Sequence, residues 1–447
     1  MKMRTKVAAT TVAGVMAAGL AAPAWAASPF EAVLDEYSEP AADPGEFRDV
    51  LDRWVSADQL DDVLVVVTPG TDDTGLGPRT AGLVADHDAR IVKYPGSFWP
   101  VSSGSTGALL PFFAPTYDAS KNVAVDANLA IMAAMRGTGR VVVYTGYSQG
   151  SDALGDAAER AAADGLLDGD TLVLLVSDPR GPWGLKSGLE KIPFHTPIMA
   201  LIGAQSNGAR DPGKTGDAEV VQVIVKGDPV ANWQWNPLRP VSSLLVDLAG
   251  FITIHGSTGP YTYAHLENLE LEKTLYSAEG NTRYEVYDTY HPLALLNAMI
   301  AAALGIEVDE AQLAEWDRQA EFFYPMQDVA PETADPGVGV VTEKPEGRHT
   351  LHDAAGRAVE SEPSAAGEYE GRHRAEEVET VVDVPTPSTP NAVAPAVRQG
   401  DPVGGAPRSE SAADAAPADD AGPTDGDPIQ VGAPTDQTAP TGVVTPS

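Results

Sequence analysis

Cysteine is absent from the 447 residues of this chain, and basic residues are scarce beside acidic ones. Without cysteine the protein has no disulfide bond, no thiolate metal ligand and no cysteine nucleophile, so its fold must depend on a hydrophobic core. The 29 Lys and Arg residues stand against 64 Asp and Glu, which gives a formal net charge of -35. A chain this acidic repels polyanions at long range, and we therefore expect no nucleic-acid partner.

No long apolar run follows residue 26, so the sequence predicts no transmembrane segment after that point. The first 26 residues combine a basic start, an apolar run over residues 7 to 20 and the closing tripeptide Ala-Trp-Ala. This is the pattern of a secretory signal peptide. We predict cleavage after Ala26 and export by the general secretion route, which makes the protein secreted or a component of the cell envelope.

Bulky aliphatic and aromatic residues become rare from residue 331 onward, where Pro, Ala, Gly, Thr, Asp and Glu dominate. Such a segment cannot bury enough apolar area to offset its chain entropy. The predicted organisation is therefore a signal peptide over residues 1–26, a folded domain over residues 27–330 and a disordered acidic tail over residues 331–447. The tail is a candidate for association with the cell envelope.

Short, continuously apolar runs alternate with helical patterns through the predicted domain. Continuous apolar strands indicate a sheet that is covered on both faces, as in parallel α/β proteins. The intervening residues 122 to 137 and 151 to 165 have apolar residues at helical spacing and end in glycine. The predicted strands are VLVVV at 63 to 67, RIVKYP at 90 to 95, VVVYTG at 141 to 146, TLVLLVS at 171 to 177 and EVVQVIVKG at 219 to 227.

The pentapeptide Gly-Tyr-Ser-Gln-Gly at 146 to 150 follows one of these strands and precedes one of these helices. A nucleophilic serine on a strained strand-to-helix turn needs small neighbours, and Gly146 and Gly150 occupy those positions. The context therefore predicts that Ser148 is a nucleophile. The Gln149 amide at the start of the helix is a predicted oxyanion donor, and Thr71 or Asp72, after an earlier strand, would supply a second one.

A serine nucleophile in this fold is followed along the chain by an acid and then by a histidine. Asp178 and Asp228 both follow predicted strands, and Asp228 suits the acid position better because its strand comes later. His255 and His291 are the rival bases. The order of residues alone does not separate these two histidines.

Four segments follow one another along the chain: GYSQG around Ser148, SDPRGPWG at 177 to 184, GDPVANW at 227 to 233 and HGSTGPYTY at 255 to 263. Together they resemble the PE-PPE domain family, serine hydrolases of exported proteins that are similar to cutinases. The resemblance implies an α/β-hydrolase fold with a mostly parallel sheet and a triad of Ser148, Asp228 and His255, which leaves His291 as the alternative. Gly227, Asp178 and Asn232 differ from the residues common in the family.

The expected activity is cleavage of lipid or fatty acyl esters through an acyl-enzyme, with no metal or organic cofactor. Transfer of the acyl group to an envelope glycolipid by the same triad is an alternative, and a non-catalytic exported scaffold is another. The segment from 229 to 281 is long and rich in Trp, Pro and Gly, which makes it the candidate for a lid over the site.

Overall fold

The computed structural model describes residues 29–42, 48–73, 81–192, 195–201, 203–205, 207–348 and 350–351. The predicted signal peptide lies outside the described residues. Within them, nine strands form one sheet in the order β1-β3-β2-β4-β5-β6-β8-β7-β9. The strands are β1 (Ser38–Pro40), β2 (Leu64–Thr68), β3 (Asp88–Val92), β4 (Val142–Tyr147), β5 (Thr171–Val176), β6 (Glu219–Val225), β7 (Glu270–Ser277), β8 (Thr282–Asp288) and β9 (Val340–Val341).

The central strands β3, β2, β4, β5, β6 and β8 run parallel, while β1, β7 and β9 pair antiparallel at the two edges. All five predicted strands are present. Successive residues of β2 enter opposite core clusters: Val65 and Val67 pack on one side, and Leu64 and Val66 on the other. Burial on both faces explains why these strands are continuously apolar.

The helices cover both faces of the sheet. Side chains of α1, α3 and α4 pack into the core on one face, and side chains of α8 and α9 pack into the core on the other. None of the helices in the described part of the chain is long and apolar enough to cross a membrane. The helices are α1 (Pro29–Tyr37), α2 (Ala81–Val84), α3 (Tyr117–Met135), α4 (Gln149–Ala163), α5 (Leu185–Leu189), α6 (His195–Leu201), α7 (Pro240–Gly250), α8 (Pro292–Ala303) and α9 (Glu310–Phe323).

This arrangement is the predicted α/β-hydrolase fold, with a mostly parallel sheet flanked by helices. Its carboxyl edge is where loops from neighbouring parallel strands meet. The long connection after β6 carries α7 and a π-helical turn, Phe251–His255, before the chain returns in β7. That excursion brings a histidine to the edge where β4 ends.

The predicted domain boundary at residue 330 is wrong, because the folded chain continues through Leu351. Strand β9 pairs with β7, and the amide of the buried Leu351 donates to Glu219 Oε2 at 2.7 Å. The Trp183 indole N–H also donates to the Ala330 carbonyl at 3.1 Å. Isolated apolar residues such as Val338 and Leu351 fill sites on the sheet without any amphipathic period, so composition did not reveal them. The rest of the predicted tail lies outside the described residues.

Candidate active site

Ser148 occupies a sharp turn between β4 and α4. Its backbone has φ 56° and ψ -117°, a left-handed conformation that is strained for a residue with a side chain. The two flanking glycines are required by close backbone approach. A Cβ on Gly150 would lie 2.0 Å from the Thr68 carbonyl oxygen, and one on Gly146 would lie 2.7 Å from the Gly150 oxygen. The predicted strand, turn and helix are therefore all present, and the hydroxyl stands at the carboxyl edge of the sheet.

His255 and Asp228 meet Ser148 at this edge. The Nε2 atom of His255 is 3.0 Å from Ser148 Oγ, and its Nδ1 atom is 3.1 Å from Asp228 Oδ1. Since an ionised carboxylate only accepts hydrogen bonds, Nδ1 carries the proton and Nε2 presents its lone pair to the hydroxyl. The three residues selected from the sequence therefore form a continuous hydroxyl, imidazole and carboxylate chain.

The Asp228 carboxylate is fully buried and accepts several hydrogen bonds. Ser177 Oγ and the Tyr263 hydroxyl donate to Oδ2 at 2.5 and 2.7 Å, and the Val230 amide donates to Oδ1 at 3.0 Å. Burial by itself raises the pKa of Asp228, but the His255 side chain and the two hydroxyl donors outweigh it and hold the pKa below its usual value. The acid is therefore an ionised carboxylate at neutral pH.

Ser177 is a member of this cluster that sequence reasoning missed. Its hydroxyl donates to Asp228 and lies 3.0 Å from His255 Nδ1, so the imidazole N–H is shared between the carboxylate and the hydroxyl. Strand β5 lies between β4 and β6 in the sheet, so the residue after β5 falls between Ser148 and Asp228. At that strand end the sequence pointed only to the next residue, Asp178, as a candidate acid.

Two aromatic rings fix the plane of the imidazole. The rings of Tyr147 and Phe251 lie 5.0 and 5.1 Å from the His255 ring centroid, each inclined to it by 23°. The Tyr147 hydroxyl also donates to the backbone carbonyl of His255. These contacts hold the ring in the orientation that points Nε2 at Ser148.

The alternative acid and base are both engaged elsewhere. Asp178 pairs with the buried Arg210, whose Nε is 3.2 Å from Oδ2. His291 caps α8: its Nδ1 accepts from the Leu293 amide at 3.1 Å, and its Nε2 donates to the Tyr324 carbonyl at 3.1 Å. Burial lowers the pKa of His291 to about 4. Both ring nitrogens are therefore used in holding a helix terminus, which explains this histidine without any role as a base.

The two predicted oxyanion donors lie side by side. Gln149 is the first residue of α4, so its amide has no acceptor within the helix. The Asp72 amide donates to the Gly96 carbonyl at 2.8 Å, which leaves the Thr71 amide as the available one of the two alternatives. The Thr71 hydroxyl donates to the Gln149 side-chain oxygen at 3.2 Å. This bond holds the loop against the strand-to-helix turn at Ser148, which we call the elbow.

The Gln149 side chain has a second structural role. Its Nε2 donates to the carbonyls of Ser97 and Tyr117, both at 3.1 Å, and holds the two ends of the intervening segment against the turn. Gly70 closes the same region, because a Cβ there would lie 2.9 Å from the Tyr147 ring and 3.4 Å from the Ser148 Cβ. Sequence reasoning gave this glycine no role, although its position two residues after β2 was a usable signal.

The profile of the PE-PPE domain family matches residues 85–312, which is slightly more than half of the chain and includes Ser148, Asp228 and His255. The chain belongs to the PE-PPE domain family. This confirms the resemblance drawn from the four short segments.

Comparison with solved structures gives weak similarities. YbtT, a type II thioesterase from the yersiniabactin pathway, is 14% identical, with 39% of this chain and 77% of that chain covered and a TM-score of 0.25. BorB, the type II thioesterase from the borrelidin cluster, is 14% identical over 55% and 92% of the two chains, with a TM-score of 0.25. An esterase/lipase from an uncultured bacterium is 12% identical over 68% and 92%, with a TM-score of 0.26. The search of curated proteins found no match.

The departures of this PE-PPE domain from its family pattern have local structural explanations. Gly227 has φ 82°, and a Cβ there would lie 2.7 Å from Pro292 Cγ, so a larger residue such as tyrosine would need a different turn. Asn232 Oδ1 accepts from the Gly227 amide at 3.1 Å and stabilises that turn. Asp178 supplies a carboxylate for Arg210, as described above. Gly227 and Asn232 therefore support the turn that carries Asp228.

A buried network of ion pairs holds α4 of the PE-PPE domain in place through Asp152 in its first turn. Asp152 is paired with Lys186 at 2.7 Å, with Arg210 at 3.6 Å and with Lys121 at 3.7 Å. Burial raises the pKa of Asp152, but these cations outweigh it and hold the pKa far below its usual value. The network fixes the helix that begins at the elbow. Within the part of the chain that the structure describes, no three His, Asp or Glu side chains are grouped as metal ligands.

Proposed function

We propose that this protein is an exported serine esterase that cleaves carboxylic esters of lipids or fatty acids through an acyl-enzyme. The observation that supports this most strongly is the contact between His255 Nε2 and Ser148 Oγ at 3.0 Å, backed by the ionised Asp228 on Nδ1. A hydroxyl, an imidazole and a buried carboxylate in this order are the components of an activated serine nucleophile.

In the proposed mechanism, His255 Nε2 takes the proton of Ser148 as Oγ bonds to the acyl carbon. The negative charge on the former carbonyl oxygen is met by the amides of Gln149 and Thr71. The alcohol then leaves with the proton from the imidazolium, which gives the acyl-enzyme. Water, deprotonated by the same nitrogen, attacks the acyl carbon and releases the acid and the free serine. Asp228 stabilises the imidazolium during both steps.

The surroundings of the site favour an acyl ester over a charged substrate. Phe251 is half exposed beside the imidazole, and the segment from 94 to 117 next to Gln149 has no charged residue. Transfer of the acyl group to a sugar-lipid hydroxyl would use the same acyl-enzyme with a different acceptor. Product analysis with and without such an acceptor separates the two reactions, since only transfer yields a new ester.

The test of the proposal is covalent labelling by a fluorophosphonate probe, which reacts with activated serines. We expect the wild type to be labelled and Ser148→Ala to be unlabelled. Ser151→Ala is the matched control, because it removes the next hydroxyl of the same helix and should label normally. A wild type that does not react, or a Ser148→Ala variant that still does, would contradict the proposal and favour a non-catalytic scaffold.

A further inference from the structure

Helix α7 and the π-helical turn after it direct apolar side chains toward solvent. Every exposed residue from position 240 to position 256 is apolar or glycine, and the exposed fractions of the large ones run from 39% to 79%. A surface helix normally directs polar residues outward, so this pattern is inverted. We call these side chains the α7 stripe: Val241, Leu244, Leu245, Leu248, Phe251 and Ile252.

The α7 stripe leads directly to the candidate active site. Its residues recur at steps of three and four along one helical face, and the stripe ends in the turn that carries His255. Phe251 belongs to both features, because its ring is half exposed and also lies nearly parallel to the imidazole at 5.1 Å. The apolar surface is therefore continuous with the group that would activate the serine.

A second uncharged surface adjoins the site from the side of the nucleophile. Residues 94 to 117 contain no Asp, Glu, Lys or Arg, although the chain as a whole has a net charge of -35. The Gln149 side chain holds Ser97 and Tyr117, so this segment starts and ends at the elbow. We call it the 94–117 segment. Its exposed large apolar side chains are Val101, Leu109, Leu110, Phe112 and Phe113.

We infer that the α7 stripe and the 94–117 segment dock the enzyme onto an uncharged lipid surface, namely the aggregated acyl chains of its own ester substrate. This inference rests on the proposed esterase function. A protein partner bound along the stripe would also cover Phe251 and His255, whereas a lipid surface would present the scissile ester there.

Charge decides which lipid surface fits. An exposed apolar area of this extent gains free energy when it is removed from water, but it offers no cation to an anionic headgroup. Arg239, the exposed charged residue that directly precedes α7 in the sequence, lies over the Phe323 and Tyr324 rings at 5.7 and 5.1 Å. The acidic remainder of the chain would be repelled by an anionic bilayer. The surface therefore fits uncharged or zwitterionic lipid.

The experiment uses full-length Ser148→Ala protein, so that binding is measured without turnover, in flotation with phosphatidylcholine vesicles that contain trioctanoylglycerol. We expect this protein to float with the vesicles. Adding Leu244→Gln and Leu248→Gln should weaken partitioning by about 10- to 100-fold, because two leucine side chains lose their burial in lipid. Glutamine keeps a helix propensity near that of leucine, and circular dichroism confirms that the fold is retained.

The matched control places Ile300→Gln and Leu304→Gln in the same background. These residues are also exposed and four positions apart, but they lie at the far end of α8, which starts at the carboxyl edge of the sheet and runs away from it. The control should bind as the Ser148→Ala parent does. Equal loss in both double variants, or no loss in the α7 variant, would overturn the inference.

Two further outcomes separate this inference from the esterase proposal. Replacing part of the phosphatidylcholine by phosphatidylglycerol should weaken flotation, and stronger binding would overturn the assignment to an uncharged surface. Wild type that hydrolyses a water-soluble ester, combined with Ser148→Ala protein that never floats, would refute the docking surface and leave the esterase proposal standing. If the Ser148→Ala protein floats but the wild type is not labelled by the fluorophosphonate, the esterase proposal would be refuted and the lipid-docking surface would stand.

Discussion

Removing the Ser177 hydroxyl tests whether it positions the candidate acid and base. Ser177→Ala deletes the donor 2.5 Å from Asp228 Oδ2 and one of the two acceptors of the His255 Nδ1 proton. Tyr263 and the Val230 amide still donate to the carboxylate. The acid therefore stays ionised but loses one constraint, and the imidazole loses part of the contact that sets its tautomer.

The expected magnitude follows from the kind of hydrogen bond that is lost. A hydrogen bond to a charged group contributes about 1.5 to 3 kcal/mol, and each 1.4 kcal/mol in a barrier is tenfold in rate. We expect kcat to fall about 10- to 100-fold with KM little changed, because the Ser177 hydroxyl contacts Asp228 and His255, which act in the chemical step. The loss of a donor also moves the pKa of Asp228 upward, since that hydroxyl is one of the groups that lower it.

The assay is turnover of a water-soluble short-chain ester, together with the rate of fluorophosphonate labelling, which reports the reactivity of Ser148 alone. Ser177→Gly is the companion variant, because it also lacks the hydroxyl but relieves the backbone at φ 55°. If the hydroxyl matters, both variants slow by similar factors, while the glycine variant loses less stability because its backbone strain is relieved. Wild-type kcat in a folded Ser177→Gly protein would refute this reasoning.

Three other predictions concern buried charges away from the reacting atoms. Burial lowers the pKa of His291 to about 4, so the stability that the neutral ring contributes above pH 6.5 is lost as the pH falls towards 4, by roughly 3 kcal/mol. Thermal melts at several pH values should show this loss. His291→Asn, which keeps a helix cap, should flatten the profile without lowering kcat. Burial raises the pKa of Asp247 to about 7, so the folded protein favours the protonated form and loses stability as the pH rises through 7. Asp247→Asn should therefore raise the melting temperature at pH 8 far more than at pH 5. Arg210→Met removes a buried cation that pairs with Asp152, Asp156, Glu159 and Asp178, and it should cost about 3 to 5 kcal/mol in chemical denaturation. The partly exposed Arg140→Met should cost less than about 1 kcal/mol, and equal losses would contradict the role given to the network.

The strands and the fold class were predictable because one physical signal dominates them. A strand covered on both faces must be apolar at every position, and β2, β4, β5 and β6 all are, or nearly so. The edge strands were not predictable from this signal. Strand β7 is exposed over its first three residues, and β9 has only two residues, so neither presents an apolar run. Such strands are defined by their neighbours in the sheet.

The candidate site was predictable only in part, for a related reason. Ser148 has a local signature, because the elbow needs two glycines at fixed positions. His255 and His291 have none, since His255 is followed by Gly256 and His291 by Pro292, and either residue would suit a loop at the sheet edge. What distinguishes them is the partner of each ring nitrogen: a carboxylate and a hydroxyl for His255, but two backbone groups for His291. Those partners come from distant parts of the chain, so only the family resemblance could separate the two histidines in advance.

The missed Ser177 belongs to a pattern that becomes visible only at the sheet edge. Three adjacent strands, β4, β5 and β6, are each followed by a backbone with positive φ: 56° at Ser148, 55° at Ser177 and 82° at Gly227. Glycine adopts this conformation freely, but a serine pays about 1 to 2 kcal/mol for it. Glycine would fit both serine positions at lower cost to the backbone, so the backbone conformation does not explain the hydroxyls. At the first position the hydroxyl is the candidate nucleophile. By the same argument, the hydroxyl at the second position is explained by its two contacts, which join the carboxylate to the imidazole.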